Sequence, residues 1–137
     1  MPSLIGTGLL IAATLAAFWR GRIEHRVVAA VIAAAWLLSG LVQDRVHWNS
    51  PQWALSVIDG VVVIGVTGAA LRWGGFWLLA CAAFTWLQLM THAAMAVDVR
   101  IHARGYLTAL GLWSVAQLLA LAWGTFEAWR ERRRAVA

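Results

Sequence analysis

Charged residues are scarce in this sequence. They make up 12% of the 137 residues, and lysine is absent because all 11 basic residues are arginine. A soluble domain usually carries about twice that charged fraction, so these charges are too few to cover a water-facing surface. The arginines also lie at the ends of apolar segments rather than on one basic face, which argues against a nucleic-acid partner.

Cysteine and proline are nearly absent as well. Cys81 has no partner for an internal disulfide, and we interpret it as a small buried packing residue. The only prolines, Pro2 and Pro51, lie outside the apolar segments. The sequence therefore lacks the pair of interrupted helices that many secondary transporters contain.

Catalytic signatures are missing too. The sequence contains no Walker loop, Rossmann glycine fingerprint, nucleophile elbow or zinc-protease helix motif. The connections between apolar segments are short and leave no room for a separate catalytic domain. We therefore predict a protein that is not an enzyme and that has no metal site.

Apolar segments make up nearly all of the chain. Hydrophobic residues account for 62% of it and the mean hydropathy is +0.74. In hydrocarbon a backbone must close its own hydrogen bonds, so these segments predict an all-α integral membrane protein, a bundle of five transmembrane helices of which the first two are short. The predicted spans cover residues 4–19, 27–42, 53–71, 73–97 and 106–129, followed by a basic cytoplasmic tail at 130–137.

The arginines predict the orientation of this bundle. If the C-terminus is cytoplasmic, eight arginines fall on the cytoplasmic side and three on the other, as expected for short loops that stay inside. We therefore predict a multi-pass protein of the cell inner (plasma) membrane with its N-terminus outside. The arginines predicted to contact anionic lipid headgroups are Arg130, Arg132, Arg133 and Arg134.

Two ionisable residues lie well inside predicted spans. Asp59 lies six residues past Trp53, and His92 lies six residues before Asp98 on the next helix, which runs the other way. Both are thus about 9 Å below the same boundary. Because charge in hydrocarbon is costly, each is expected to face the bundle interior or water. The two side chains can then meet.

Polar residues at helical spacing extend this candidate site. Ser56 shares a face with Asp59, Gln88 shares one with His92, and Ser114 and Gln117 share one on the fifth helix. The predicted intramembrane polar site therefore consists of Asp59, His92, Gln88, Gln117, Ser114 and Ser56.

Three functions compatible with this pattern remain open. The main prediction is a non-enzymatic accessory or interaction subunit that packs against a second copy or another membrane subunit. The alternative is a proton-linked small transporter or channel with an outward-facing polar cavity around Asp59 and His92. A third is a tetrapyrrole or quinone binder that uses His92, Trp86 and Trp113, although one histidine supplies only one axial haem ligand.

Overall fold

The structure, a computed structural model, describes residues 4–42, 52–98 and 100–136. The regular secondary structure in this part of the chain is all α-helix, and it contains no strand. Its five helices are α1 (Leu4–Arg20), α2 (Ile23–Val42), α3 (Trp53–Trp73), α4 (Phe76–Val97) and α5 (Ala103–Val136).

Two-residue turns connect α1 to α2 and α3 to α4. Between α3 and α4, Gly74 and Gly75 both adopt positive φ angles, of 70° and 99°. Only glycine adopts such a conformation without steric cost, and the Gly74 amide donates to the Ala70 carbonyl at 3.0 Å. The chain thus reverses direction within two residues. In the α4–α5 connection, Asp98 Oδ1 accepts a hydrogen bond from the Arg100 amide at 2.9 Å.

The helices form a closed ring in chain order, in which α1 also packs against α5 and α2 makes a further contact with α5 across the ring. Helices α3 and α5 lie on opposite sides of α4. We call the end of the bundle that contains the Gly74–Gly75 turn and the last residues of α5 the lower end. The end with the 98–102 connection is the upper end.

The core consists of small and branched apolar residues. Ala17 and Ala29 are fully buried where α1 and α2 meet other helices, which lets the helix backbones approach closely. Outward-facing residues are also apolar: Ile64, Leu71 and Phe76 are each more than 70% exposed. A helix that is apolar on its inner and outer faces is typical of a protein surrounded by lipid.

Four of the five helices have lengths that agree with a lipid environment. α2, α3, α4 and α5 are each long and apolar enough to cross a membrane. α1 has 17 residues, a length of about 26 Å. By length and composition, these four helices suggest a membrane protein.

Two predicted boundaries need correction. α2 begins at Ile23 rather than at residue 27, so it has 20 residues and is not a short helix. α5 continues without a break to Val136, so the basic residues predicted to form a separate tail extend the helix instead. In both places the backbone continues its helical hydrogen bonding through charged residues, which hydropathy alone assigns to loops.

Candidate functional site

Asp59 and His92 meet between α3 and α4. Oδ2 of Asp59 lies 3.0 Å from Nε2 of His92, at the distance of a charge-assisted hydrogen bond. The His92 side chain is almost fully buried, whereas that of Asp59 retains 16% of its exposure. Asp59 is therefore the open end of the pair.

Tyr106 of α5 completes a three-residue centre. Its hydroxyl oxygen lies 2.7 Å from Nδ1 of His92, and the two rings meet edge-on at 77°. Tyr106 is only 2% exposed. His92 on the central helix α4 thus joins Asp59 on α3 to Tyr106 on α5. We call these three residues the Asp–His–Tyr centre.

The direction of these hydrogen bonds depends on the number of protons bound. When Asp59 is a carboxylate and His92 is neutral, the carboxylate must accept the Nε2–H. Nδ1 is then bare and accepts the Tyr106 hydroxyl proton. If the centre gains one proton, on either His92 or Asp59, Nδ1 carries a hydrogen and donates to the Tyr106 oxygen instead. Proton uptake thus preserves both hydrogen bonds and reverses the one to Tyr106.

A second polar cluster lies nearer the middle of the bundle, one helical turn below His92. Gln88 Nε2 donates to Gln117 Oε1 at 3.3 Å, and Gln117 Nε2 donates to Thr85 Oγ1 at 2.9 Å. Thr85 in turn donates to the Cys81 carbonyl at 2.7 Å. Carboxamide side chains neither gain nor lose protons near neutral pH. The cluster therefore fixes the register of α4 against α5 rather than binding protons.

The two predicted serines bond within their own helices. The Ser56 hydroxyl donates to the Gln52 carbonyl at 3.2 Å, and the Ser114 hydroxyl donates to the Leu110 carbonyl at 2.8 Å. Donation to a carbonyl four residues earlier is the usual way for a hydroxyl to be satisfied inside a helix. Neither hydroxyl donates to the Asp–His–Tyr centre.

The tryptophans considered for cofactor binding have acceptors for their indole N–H groups. Trp86 donates to Thr67 Oγ1 at 3.3 Å, and Trp113 donates to Thr91 Oγ1 at 3.2 Å. Trp86 nevertheless lies 46% exposed on the outside of the bundle. The Trp86 ring is therefore not part of the buried surroundings of His92.

His92 itself has no free ring nitrogen for a haem iron. Both nitrogens are engaged, one by Asp59 and one by Tyr106, so axial ligation would break one of these bonds. Among the described residues, no three His, Cys, Asp or Glu side chains are grouped so as to hold a metal ion. His47, in the predicted outer loop, lies outside the described residues.

The arginines near the end of α5 differ in their surroundings. The Arg133 guanidinium lies over the Trp129 ring at 4.4 Å, a cation–π contact. Arg130, Arg132 and Arg134 extend from exposed positions on the same helix.

Sequence reasoning missed Tyr106 and misplaced His25. Tyr106 is the first residue of the predicted fifth span, so the depth comparison used for Asp59 places it at the outer boundary and would not have found it. His25, expected in a loop, lies in the first turn of α2 and is 2% exposed. Its ring is stacked on Trp77 with centroids 4.3 Å apart. No sequence signal points to that contact.

Searches of protein families, of curated proteins and of solved structures find no match to this chain.

Proposed function

We propose that this chain is a multi-pass protein of the cell inner membrane in which the Asp–His–Tyr centre binds and releases protons, as part of a proton-linked transporter or channel. In the proposed orientation the upper end faces outward and the lower end, with most of the arginines, faces the cytoplasm. Arg130, Arg132 and Arg134 would then contact anionic headgroups.

The observation that carries this proposal is the hydrogen-bonded chain from Asp59 through His92 to Tyr106. A lone carboxylate in hydrocarbon costs several kcal/mol or more. Acidic residues inside a membrane are therefore found mainly at functional sites. One proton neutralises the negative charge of this centre while both hydrogen bonds of His92 are kept. A centre of this kind can change its protonation state at low cost.

Proton binding at this centre would also affect the packing of three helices. Asp59 lies on α3 and Tyr106 on α5, and the two are joined only through His92 of α4 in the described structure. When Tyr106 changes from donor to acceptor, its own hydroxyl proton must find another acceptor. Proton uptake therefore favours a different packing of α5 against α4, which is the kind of two-state element that a proton-linked step requires.

The test is proton flux into liposomes that contain the purified protein, measured with an entrapped pH dye under an imposed membrane potential. Asp59→Asn should reduce the flux to that of empty liposomes, because an amide cannot take up the proton. Asp98→Asn makes the same chemical change at the exposed connection and should leave the flux unchanged. Absence of flux in the parent protein, or equal flux in Asp59→Asn, would contradict the proposal.

A second candidate is association with another membrane helix, as expected of an accessory subunit or a homo-oligomer. An outward-facing groove of about 620 Å³ runs between α3 and α4, and apart from Thr67 and the Trp86 N–H its lining is apolar. Gly60 and Gly68 lie in it with open space where a Cβ would stand. Exposed glycines let a second helix approach closely in lipid.

Cross-linking in native membranes tests this association. Gly60→Leu and Gly68→Leu should each abolish a cross-linked dimer or complex by filling the groove. Gly111→Leu places the same side chain at an open, exposed position on α5 and should leave it intact. A parent protein that never cross-links would contradict this candidate.

A further inference from the structure

A clasp at the lower end ties the α1–α2 turn to the end of α5. Nη2 of Arg22 lies 2.7 Å from Oε2 of Glu131. Arg20 and Arg133 both place their guanidinium groups over the Trp129 ring, at 5.1 and 4.4 Å. We call these five residues the lower clasp. These contacts are exposed, and each contributes little to stability. The clasp therefore depends on the residues that pack beneath it.

His25 lies directly beneath the clasp, one turn along α2 from Arg22. It is 2% exposed and stacked on Trp77 of α4, with 16° between the ring planes. Neither of its ring nitrogens has a hydrogen-bond partner in the part of the chain that the structure describes. Buried polar atoms are nearly always partnered, so this histidine is an exception that calls for a role.

The groups facing the ring determine what a proton on it would do. Arg22, just before α2, would repel a charged ring and Glu24 of α2 would attract it, with Glu24 Oε1 at 3.8 Å from Nδ1. On α5, the Gly124 backbone would favour the charged ring and Arg132 would repel it, while Glu131 is already paired with Arg22. On α4 the ring meets the uncharged face of Trp77. An indole face attracts a cation but cannot accept its in-plane N–H bonds.

We propose that His25 is a proton-operated latch, whose protonation releases the α1–α2 turn from the end of α5. A charged ring carries two N–H donors, and the acceptors near the buried position are the Gly124 carbonyl and Glu24 Oε1, the latter 3.8 Å from Nδ1. Burial disfavours the charged form more than these groups favour it, so the protonated ring moves toward water. To do so it leaves Trp77 and carries the first turn of α2 outward. Arg22 directly precedes that turn, so its bond to Glu131 breaks in the same movement. This latch does not depend on the Asp–His–Tyr centre.

Pulsed electron spin resonance measures the opening directly. Spin labels are attached at Arg26→Cys and Arg134→Cys in a Cys81→Ala background, and the protein is placed in lipid nanodiscs. As the pH is lowered from about 8 to about 4, which extends below the usual histidine range because burial disfavours the charged ring, the distance between labels should lengthen reversibly. A distance that stays the same over this interval would overturn the proposal.

Three variants separate the latch from general acid effects. His25→Phe keeps an aromatic ring on Trp77 without nitrogens, so the short distance should persist at both pH values. His102→Phe changes an exposed histidine at the upper end and should open like the parent. Glu131→Gln weakens the clasp and should open at a higher pH than the parent. Opening of His25→Phe at the parent's pH would refute the latch, as would an unchanged midpoint in Glu131→Gln.

Discussion

Gly124 of α5 is the position at which the Trp77 indole packs directly against a helix backbone. A methyl group added there would fall inside contact distance of Cγ, Cδ1 and Cδ2 of that ring. Trp77 has little freedom to move, because it is 8% exposed and stacked on His25. Gly124→Ala is therefore expected to displace the indole and to break the stack.

The expected magnitude follows from two opposing effects. Overpacking a filled site typically costs about 1–3 kcal/mol, and the rigid indole places this case in the upper part of that range. Alanine in a helix interior gains about 1 kcal/mol over glycine. We therefore expect Gly124→Ala to lower the free energy of unfolding by about 1–2 kcal/mol.

Gly111→Ala provides the matched control, since it makes the same substitution on the same helix where a Cβ meets nothing within 4 Å. It should raise the free energy of unfolding by up to about 1 kcal/mol. Reversible unfolding in mixed micelles, followed by far-ultraviolet circular dichroism, measures both. If the two variants shift stability in the same direction, the packing of Trp77 against α5 is not as described.

Further predictions concern the polar contacts. Tyr106→Phe removes the donor to His92 Nδ1 and leaves a buried nitrogen unpartnered; the same unfolding assay should show a loss of about 1–3 kcal/mol, and no loss would argue against the bond. His25→Phe replaces two unpartnered nitrogens by carbon and should raise stability at neutral pH by about 1 kcal/mol; destabilisation would mean that the ring has a partner. A double-mutant cycle on Arg22 and Glu131 should give a coupling under about 1 kcal/mol at moderate salt, because both side chains are more than half exposed; a larger coupling would show that the pair is shielded from solvent.

Hydropathy predicted five helices, and residue spacing predicted that Asp59 and His92 can meet. The five apolar segments became five helices, and equal depth on antiparallel neighbours was enough to anticipate that Asp59 and His92 can meet. Both arguments rest on the constant rise of an α-helix, which is independent of side-chain packing. Function itself remains a proposal.

Contacts between helices distant in sequence could not be predicted in the same way. The stack of His25 on Trp77 requires α2 and α4 to be close at the lower end, and Gly124 must leave room for the indole. No periodicity encodes such a fit, because it depends on how three helices rotate about their axes. The charged residues next to His25 in the sequence predicted a loop at this position instead.

The central claim is that the Asp–His–Tyr centre takes up a proton, and the protonation state of His92 Nδ1 tests it most directly. Nitrogen-15 solid-state NMR of histidine-labelled protein in liposomes reports that atom, with the His92 signal assigned by its loss in His92→Gln. On acidification, Nδ1 should change from a bare acceptor to an N–H donor, and Asp59→Asn should alter this change because the amide cannot take up the proton. An Nδ1 that remains bare at every pH, or a change that is the same in Asp59→Asn as in the parent, would contradict the proposed proton uptake.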